Sequence, residues 1–179
     1  INLTHGNIRL FSSPWSAPAW MKTSGKMAGP GEVLPNLKAT WANYYVRFFE
    51  EYLARGVSFW ATTVQNEPLT TYAPFWQWQA TNWNATGEAN FVANYLGPAL
   101  AASAAARNVT IISMDDSRLY LREWADVVFS NPVASSYISG VAVHWYFDAV
   151  APAELLSATH FAHPDKFILA TEVSANSSS

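Results

Sequence analysis

Cysteine is absent from the 179 residues, which removes a disulfide framework, a thiolate metal site and a cysteine nucleophile. Charge is scarce as well: only 13% of residues are Asp, Glu, Lys or Arg, and the net charge is −3. The Lys and Arg are scattered rather than clustered, so no basic surface is available to neutralise a phosphate backbone, and nucleic acid is not expected as a partner. No apolar run approaches the ~20 residues a membrane-spanning helix requires. No Gly-rich phosphate loop follows any strand-like segment, which leaves a nucleotide-binding sheet without support. The N-terminal stretch "INLTHGNIRLF" lacks the charged start, apolar centre and small-residue cleavage site of a signal peptide. The chain is therefore expected to begin after its targeting segment or to be cut from something longer.

What is present is a globular composition, half hydrophobic and rich in aromatics, with nine Trp, which argues against disorder. Four Asn-x-Ser/Thr triplets, at Asn2, Asn84, Asn108 and Asn176, are candidate glycosylation sites. They lean towards a secretory route, although so short a motif also arises by chance.

Along the chain, strand-like and helix-like patterns alternate. A strand over 8–13 leads into a long loop holding "PWSAPAW". The following "ATWANYYVRFFEEYLARG" places Trp41, Tyr44, Tyr45, Phe48, Phe49 and Tyr52 on one face of a helix that Gly56 closes. A strand over 57–64 comes next, then a Trp-rich loop and a helical pattern over 88–107 that Pro98 kinks or restarts. Strands over 109–114, 140–145 and 166–171 alternate with helices over 119–129 and 152–159. Near-continuous apolar strands separated by helices predict a parallel sheet covered on its faces.

The strand ends choose between a doubly wound sheet and a barrel. Residues 13–15, 65–67, 115–116, 144–146 and Glu172 fall at successive C-terminal ends, and a barrel collects such ends on the rim that holds its active site. The expected fold class is thus α/β, a partial (β/α)8 TIM barrel of about five consecutive strand–helix units out of eight. Within "TTVQNEPLT", Glu67 directly follows a strand. A carboxyl at a barrel mouth among aromatic rings loses hydration and is favoured in the protonated form that can donate a proton. Glu172, in "ILATEVS", ends the last strand in the same way. Two acids facing each other in a site lined by Trp and Tyr are the equipment for cleaving a glycosidic bond.

The segments "SPWSAPAWMKTSG", "NEP", "LGPALA", "DDSRLYLREWADVV", "VAVHWYFD" and "ATE" resemble, in order and spacing, the lysosomal glucosylceramidases of glycoside hydrolase family 30. The likeness covers nearly the whole chain. It implies that residues 1–179 are the central part of a glycosidase barrel domain, with the first, second and eighth strands missing. It also implies that Glu67 is the general acid/base, Glu172 the nucleophile, and Asn66 the partner of the sugar 2-hydroxyl. Trp15 matches a sugar-contacting tryptophan, His144 and Tyr146 match residues lining the pocket, and Asp115 matches one of an acidic pair. Ser117 stands where well-known members carry Gln, and "VSANSSS" departs from the family after the nucleophile.

The resemblance further implies a glycolipid substrate at a membrane surface, a saposin-like activator protein as partner and a lysosomal or secreted location; no cofactor or metal is expected. The expected reaction is hydrolysis of glucosylceramide to glucose and ceramide with retention. The alternatives are a family member cutting β-linked glucan or xylan, and a catalytically silent sugar- or lipid-binding fragment. Three residues carry a second reading. Asp115 and Asp116 would suit the N-cap of the helix that follows, and His144 could be a satisfied core histidine. His160 and His163, without a third ligand, read as surface residues.

Overall fold

A computed structural model describes residues 8–73 and 75–173. Its strands are β1 (Phe11–Ser12), β2 (Ala61–Thr63), β3 (Thr110–Ser117), β4 (Ile138–His144) and β5 (Phe167–Glu172). They form one sheet in the order β1-β2-β3-β4-β5, every pair parallel. A doubly wound sheet would reverse its strand order at a switch point. Here each strand adds to the same edge, which is how a (β/α)8 barrel is built. The fold is a partial TIM barrel, as the alternation of patterns predicts.

The helices are α1 (Lys38–Leu53), α2 (Ala85–Phe91), α3 (Gly97–Ala102), α4 (Leu121–Ser130), α5 (Pro132–Tyr137) and α6 (Glu154–Ala162). They cover the convex side. Trp41, Tyr45 and Phe49 of α1 bury their rings with Phe91 and Leu96, and with Trp124 and Val128 of α4, against Val64, Ile111, Val141 and Val143 of the strand layer. Only part of the aromatic spacing of α1 is therefore a core face, since Tyr44, Phe48 and Tyr52 are exposed. Gly56, at φ +78°, makes the left-handed turn that ends this segment, a conformation glycine adopts without a Cβ penalty.

The helix expected over 88–107 ends at Ala102 and is made of three pieces. Between α2 and α3, residues Val92–Leu96 form a π-helical turn, with the Gly97 N–H bonded to the Val92 carbonyl. Pro98 has no N–H to offer the Asn94 carbonyl and its ring crowds that carbonyl. The widened turn absorbs the conflict, and Pro98 sits in the first turn of α3. The strands expected over 8–13 and 57–64 are shorter than their apolar runs. Outside β1 and β2 their pairing continues only through single bonds, from the Trp60 N–H to the Leu10 carbonyl, from the Thr110 N–H to the Trp60 carbonyl and from the Val64 N–H to the Ile112 carbonyl. The helix α5 was not foreseen. Asn131 caps it by accepting from the Val133 and Ala134 N–H groups, and Pro132 follows in the first turn, a start signal that Asn-Pro carries.

The concave side is graded along its length. At the N-terminal ends of the strands it is apolar: Ala61, Ile112 and Ala142 pack with Trp60, Phe167 and Leu169, and the Trp60 and Phe167 rings stack with centroids 5.9 Å apart. Gly140 lies opposite Phe167 in the ladder, where a Cβ would meet the Phe167 carbonyl oxygen at 2.5 Å, so the close approach of β4 and β5 requires glycine there. Two residues further along each strand the same side turns polar, with Thr63, His144 and Thr171. That layer is the floor of the site.

Candidate active site

β3 departs from a regular strand where it enters the polar layer. Its register against β4 shifts between Met114 and Asp116, and Met114 and Asp115 have φ of +70° and +76°. For non-glycine residues such a backbone costs about 1–3 kcal/mol each, so the surroundings must hold it. In an unbroken strand Ile112 and Met114 would share the concave side and Asp115 would face the helices. The bulge advances the alternation by one residue and turns Asp115 inward.

There Asp115 becomes a hub. Its Oδ2 accepts from Ser13 Oγ at 2.5 Å and from Thr63 Oγ1 at 2.9 Å. Its Oδ1 accepts from Thr171 Oγ1 at 2.6 Å and faces His144 Nε2 at 3.1 Å. One buried carboxylate thus links side chains from the ends of β1, β2, β4 and β5. The backbone carbonyl of Asp115 accepts from the Glu67 N–H at 2.8 Å, and Asp116 Oδ2 accepts from the Leu69 N–H at 2.9 Å. The segment carrying Glu67, itself at φ +46°, is fastened to the bulge at both points. The helix-cap reading of Asp115 and Asp116 is therefore corrected: both lie within β3, and α4 begins only at Leu121.

His144, the last residue of β4, bridges the acids. Its Nδ1 lies 3.2 Å from Glu67 Oε1 and 3.7 Å from Glu172 Oε2. Burial, the largest single influence on the ring, opposes its charge. The hydrogen bonds to Asp115 and Glu67 and the charges of Asp115 and Glu172 outweigh it, and the pKa rises to about 10. Both ring nitrogens face carboxylate oxygens, an arrangement that the imidazolium, with two N–H donors, satisfies. The core-histidine reading holds for burial, but the partners of the ring are the carboxylates of Glu67, Asp115 and Glu172.

Tyr146 donates to Glu172 Oε2 at 2.7 Å, and that bond, ahead of burial and nearby negative charge, raises the phenol pKa to about 12. Exposure separates the two glutamates: the Glu67 side chain is 10% exposed and that of Glu172 31%. Glu172 is the more open to an incoming group. Asn66 is buried, and its Oδ1 has no hydrogen-bond partner among the described residues. Gln65 donates to the Trp15 carbonyl at 2.8 Å, and the Asn66 N–H to the Pro14 carbonyl at 3.0 Å. These bonds tie the loop after β1 to the loop after β2 and leave the Trp15 side chain exposed.

The structure thus gathers Glu67, Asp115, His144, Tyr146 and Glu172 into one polar cluster, with Asn66 and Trp15 on the adjoining loops. Among the sequons, Asn84 and Asn108 are exposed, Asn84 also capping α2 by accepting from the Gly87 N–H. Asn2 and Asn176 lie outside the described residues. The hydroxyls of Thr63 and Thr171 were not foreseen as part of the site, although both sit in the strand ends adjoining the glutamates. Nor was Glu88, buried on α2. His160 is exposed, and His163 pairs with Asp126 at 2.8 Å on the outside of the barrel.

This rim of strand ends, with two glutamates at one imidazole, defines the class. Residues 2–179 match the model of the glycosyl hydrolase family 30 TIM-barrel domain, and the chain belongs to that family. It is 47% identical to "Putative glucosylceramidase 4" of Caenorhabditis elegans and 39% identical to the lysosomal acid glucosylceramidase of Mus musculus, in each case over 95% of this chain and 34% of the relative. The chain therefore spans about a third of the length of these curated relatives. The solved structure of an endo-beta1,6-glucanase superimposes with a TM-score of 0.84 at 26% identity, over 95% of this chain and 38% of that one.

Proposed function

We propose that the full-length protein is a retaining β-glucosidase that hydrolyses glucosylceramide to glucose and ceramide. The observation that carries the reading is the placement of Glu67 and Glu172 at a single nitrogen of His144. Both carboxylates lie within 3.7 Å of that nitrogen, a closeness compatible with the ~5–5.5 Å of a retaining pair. In the first step Glu172 attacks the anomeric carbon while Glu67 protonates the departing oxygen, forming a glucosyl ester and releasing the alcohol. In the second, Glu67 as base takes a proton from water, which displaces Glu172 and releases glucose. Asn66 Oδ1, buried without a partner among the described residues, suits acceptance of a hydrogen bond from the sugar 2-hydroxyl. Tyr146 orients the nucleophile, and the exposed Trp15 face suits stacking on the sugar.

The identity to glucosylceramidases supports the lipid glucoside as substrate, and the mouse relative supports a lysosomal location. Exposed rings of Trp20 on the loop after β1, and of Phe75 and Trp78 on the loop after β2, support contact with a membrane surface. The two loops join through the bond from the Gly29 N–H to the Trp78 carbonyl. A saposin-like activator that presents the lipid is part of the same proposal. The structural likeness to an endo-beta1,6-glucanase favours a second reading, hydrolysis of a β-linked glucan. Incubating the full-length protein with glucosylceramide in anionic vesicles and with β-1,6-glucan separates the two. Release of glucose and ceramide supports the first reading, whereas shortened glucan with intact glucosylceramide would replace it with the second.

A further inference from the structure

Glu88 is fully buried on α2, on the opposite side of the sheet from the proposed chemistry. Its Oε1 accepts from the Ser113 hydroxyl, from the Met114 N–H at 3.0 Å and from Trp124 Nε1 at 3.5 Å. Trp124 Nε1 also donates to Ser113 Oγ at 3.2 Å. Its Oε2 has no partner among the described residues. A carboxyl in such a place is costly, and burial, partly offset by these hydrogen bonds, raises its pKa to about 7. An apolar residue would fill the volume at less cost, so the position of the accepting oxygen needs a reason.

The donors supply it. Met114 is the left-handed residue at which β3 leaves its ladder, and a bulge leaves an N–H without a strand partner. Glu88 provides the missing acceptor from the convex side. The next residue, Asp115, presents its carboxylate to His144 and its carbonyl to the Glu67 N–H.

We infer that Glu88 is a positioning residue for Glu67: by clasping Ser113 and Met114 from behind the sheet, it holds the bulge that aims Asp115 at His144 and anchors the Glu67 backbone. The inference rests on the proposed role of Glu67 as acid/base. A carboxyl that only filled the core would influence stability alike for every substrate. A clasp on the proton donor affects those substrates whose leaving group must be protonated.

The test uses the full-length protein and two variants. Glu88→Met keeps the volume and removes the acceptor; Glu88→Gln keeps an acceptor oxygen. With an alkyl β-glucoside, Glu88→Met should lower kcat/KM on the order of 10- to 100-fold, the scale of a small misplacement of a catalytic group. With a dinitrophenyl β-glucoside, which leaves unprotonated, the loss should be under about threefold. Glu88→Gln should recover most of the alkyl-glucoside loss. Equal losses on both substrates, or no loss on either, would overturn the inference.

A second readout stands apart from turnover. His144, which Glu67, Asp115 and Glu172 face, should titrate at lower pH in Glu88→Met than in the wild type when followed by NMR, because Asp115 is no longer held against it. An unchanged His144 titration would count against the clasp even if the protein hydrolysed no glucoside, whereas a lowered one in an inactive protein would leave the clasp standing and sink the glucosidase reading. Should Glu88→Met not fold, Ser113→Ala carries the test with the same two substrates. A selective loss on the alkyl glucoside is expected, and an equal loss on both would overturn the inference.

Discussion

His144 Nδ1 lies 3.2 Å from Glu67 Oε1, and the other nitrogen of the same ring faces Asp115, so the imidazole is held between two carboxylates. With its pKa raised to about 10, the ring should stay charged from pH 5 to 8. An NMR titration of the full-length protein should show no change in His144 across that range. A midpoint near the ordinary ~6.5 of histidine would mean that the bridge does not form in solution.

Replacing His144 by Leu removes the positive partner of a buried carboxylate and leaves Asp115 with hydroxyl donors only. Breaking a buried pair in this way costs roughly 3–5 kcal/mol. The midpoint of chemical denaturation should fall accordingly, and catalysis should fall with it. A variant as stable as the wild type would show that Asp115 does not depend on the imidazole.

Glu88 and His144 together set the sign of the pH dependence of stability. Both have folded-state pKa values above those of the unfolded chain, so the folded state binds more protons and stability falls as pH rises. For Glu88 the loss runs from about 4.5 to about 7 and is on the order of 3 kcal/mol; for His144 it runs from about 6.5 to about 10. Thermal melts should therefore decline steadily from pH 4.5 upward. In Glu88→Gln the decline below pH 6 should flatten while that above pH 7 remains. A Tm that rises from pH 4.5 to 7 in the wild type would contradict the assignment.

The exposed rings of Trp20, Phe75 and Trp78 give a prediction about substrate presentation. Replacing all three with Ser should leave kcat/KM on a soluble chromogenic β-glucoside within about twofold, since none lies among the site's hydrogen bonds. Turnover of glucosylceramide in vesicles should fall tenfold or more, as each ring removed from a lipid surface forfeits roughly 1.5–3 kcal/mol of burial. Equal activities on vesicles would place the membrane contact elsewhere.

Much of this was legible in the sequence because strand ends and apolar periods are local signals. The alternation of elements read as a barrel, and Glu67, His144 and Glu172 announced themselves by closing strands. What escaped was what depends on partners distant in sequence. Nothing in "SMDDS" marks Met114 and Asp115 as left-handed, because the bulge is held by Glu88 from a helix and by hydroxyls from three other segments. Thr63 and Thr171 looked like ordinary strand residues for the same reason. The π-turn before Pro98 was half visible: proline announced the break, but only packing decided that the helix would widen rather than stop.

In the proposed mechanism Glu172 forms a covalent bond to the sugar, and that bond can be trapped. A 2-deoxy-2-fluoro-β-glucosyl fluoride slows both steps by destabilising the oxocarbenium-like transition state, while its good leaving group lets the first proceed. After incubation of the full-length protein, mass spectrometry of its peptides should find one fluoroglucosyl group, attached to Glu172. Attachment to Glu67 would exchange the two roles. No adduct, together with release of α-glucose from an ordinary β-glucoside, would show an inverting enzyme and contradict the account.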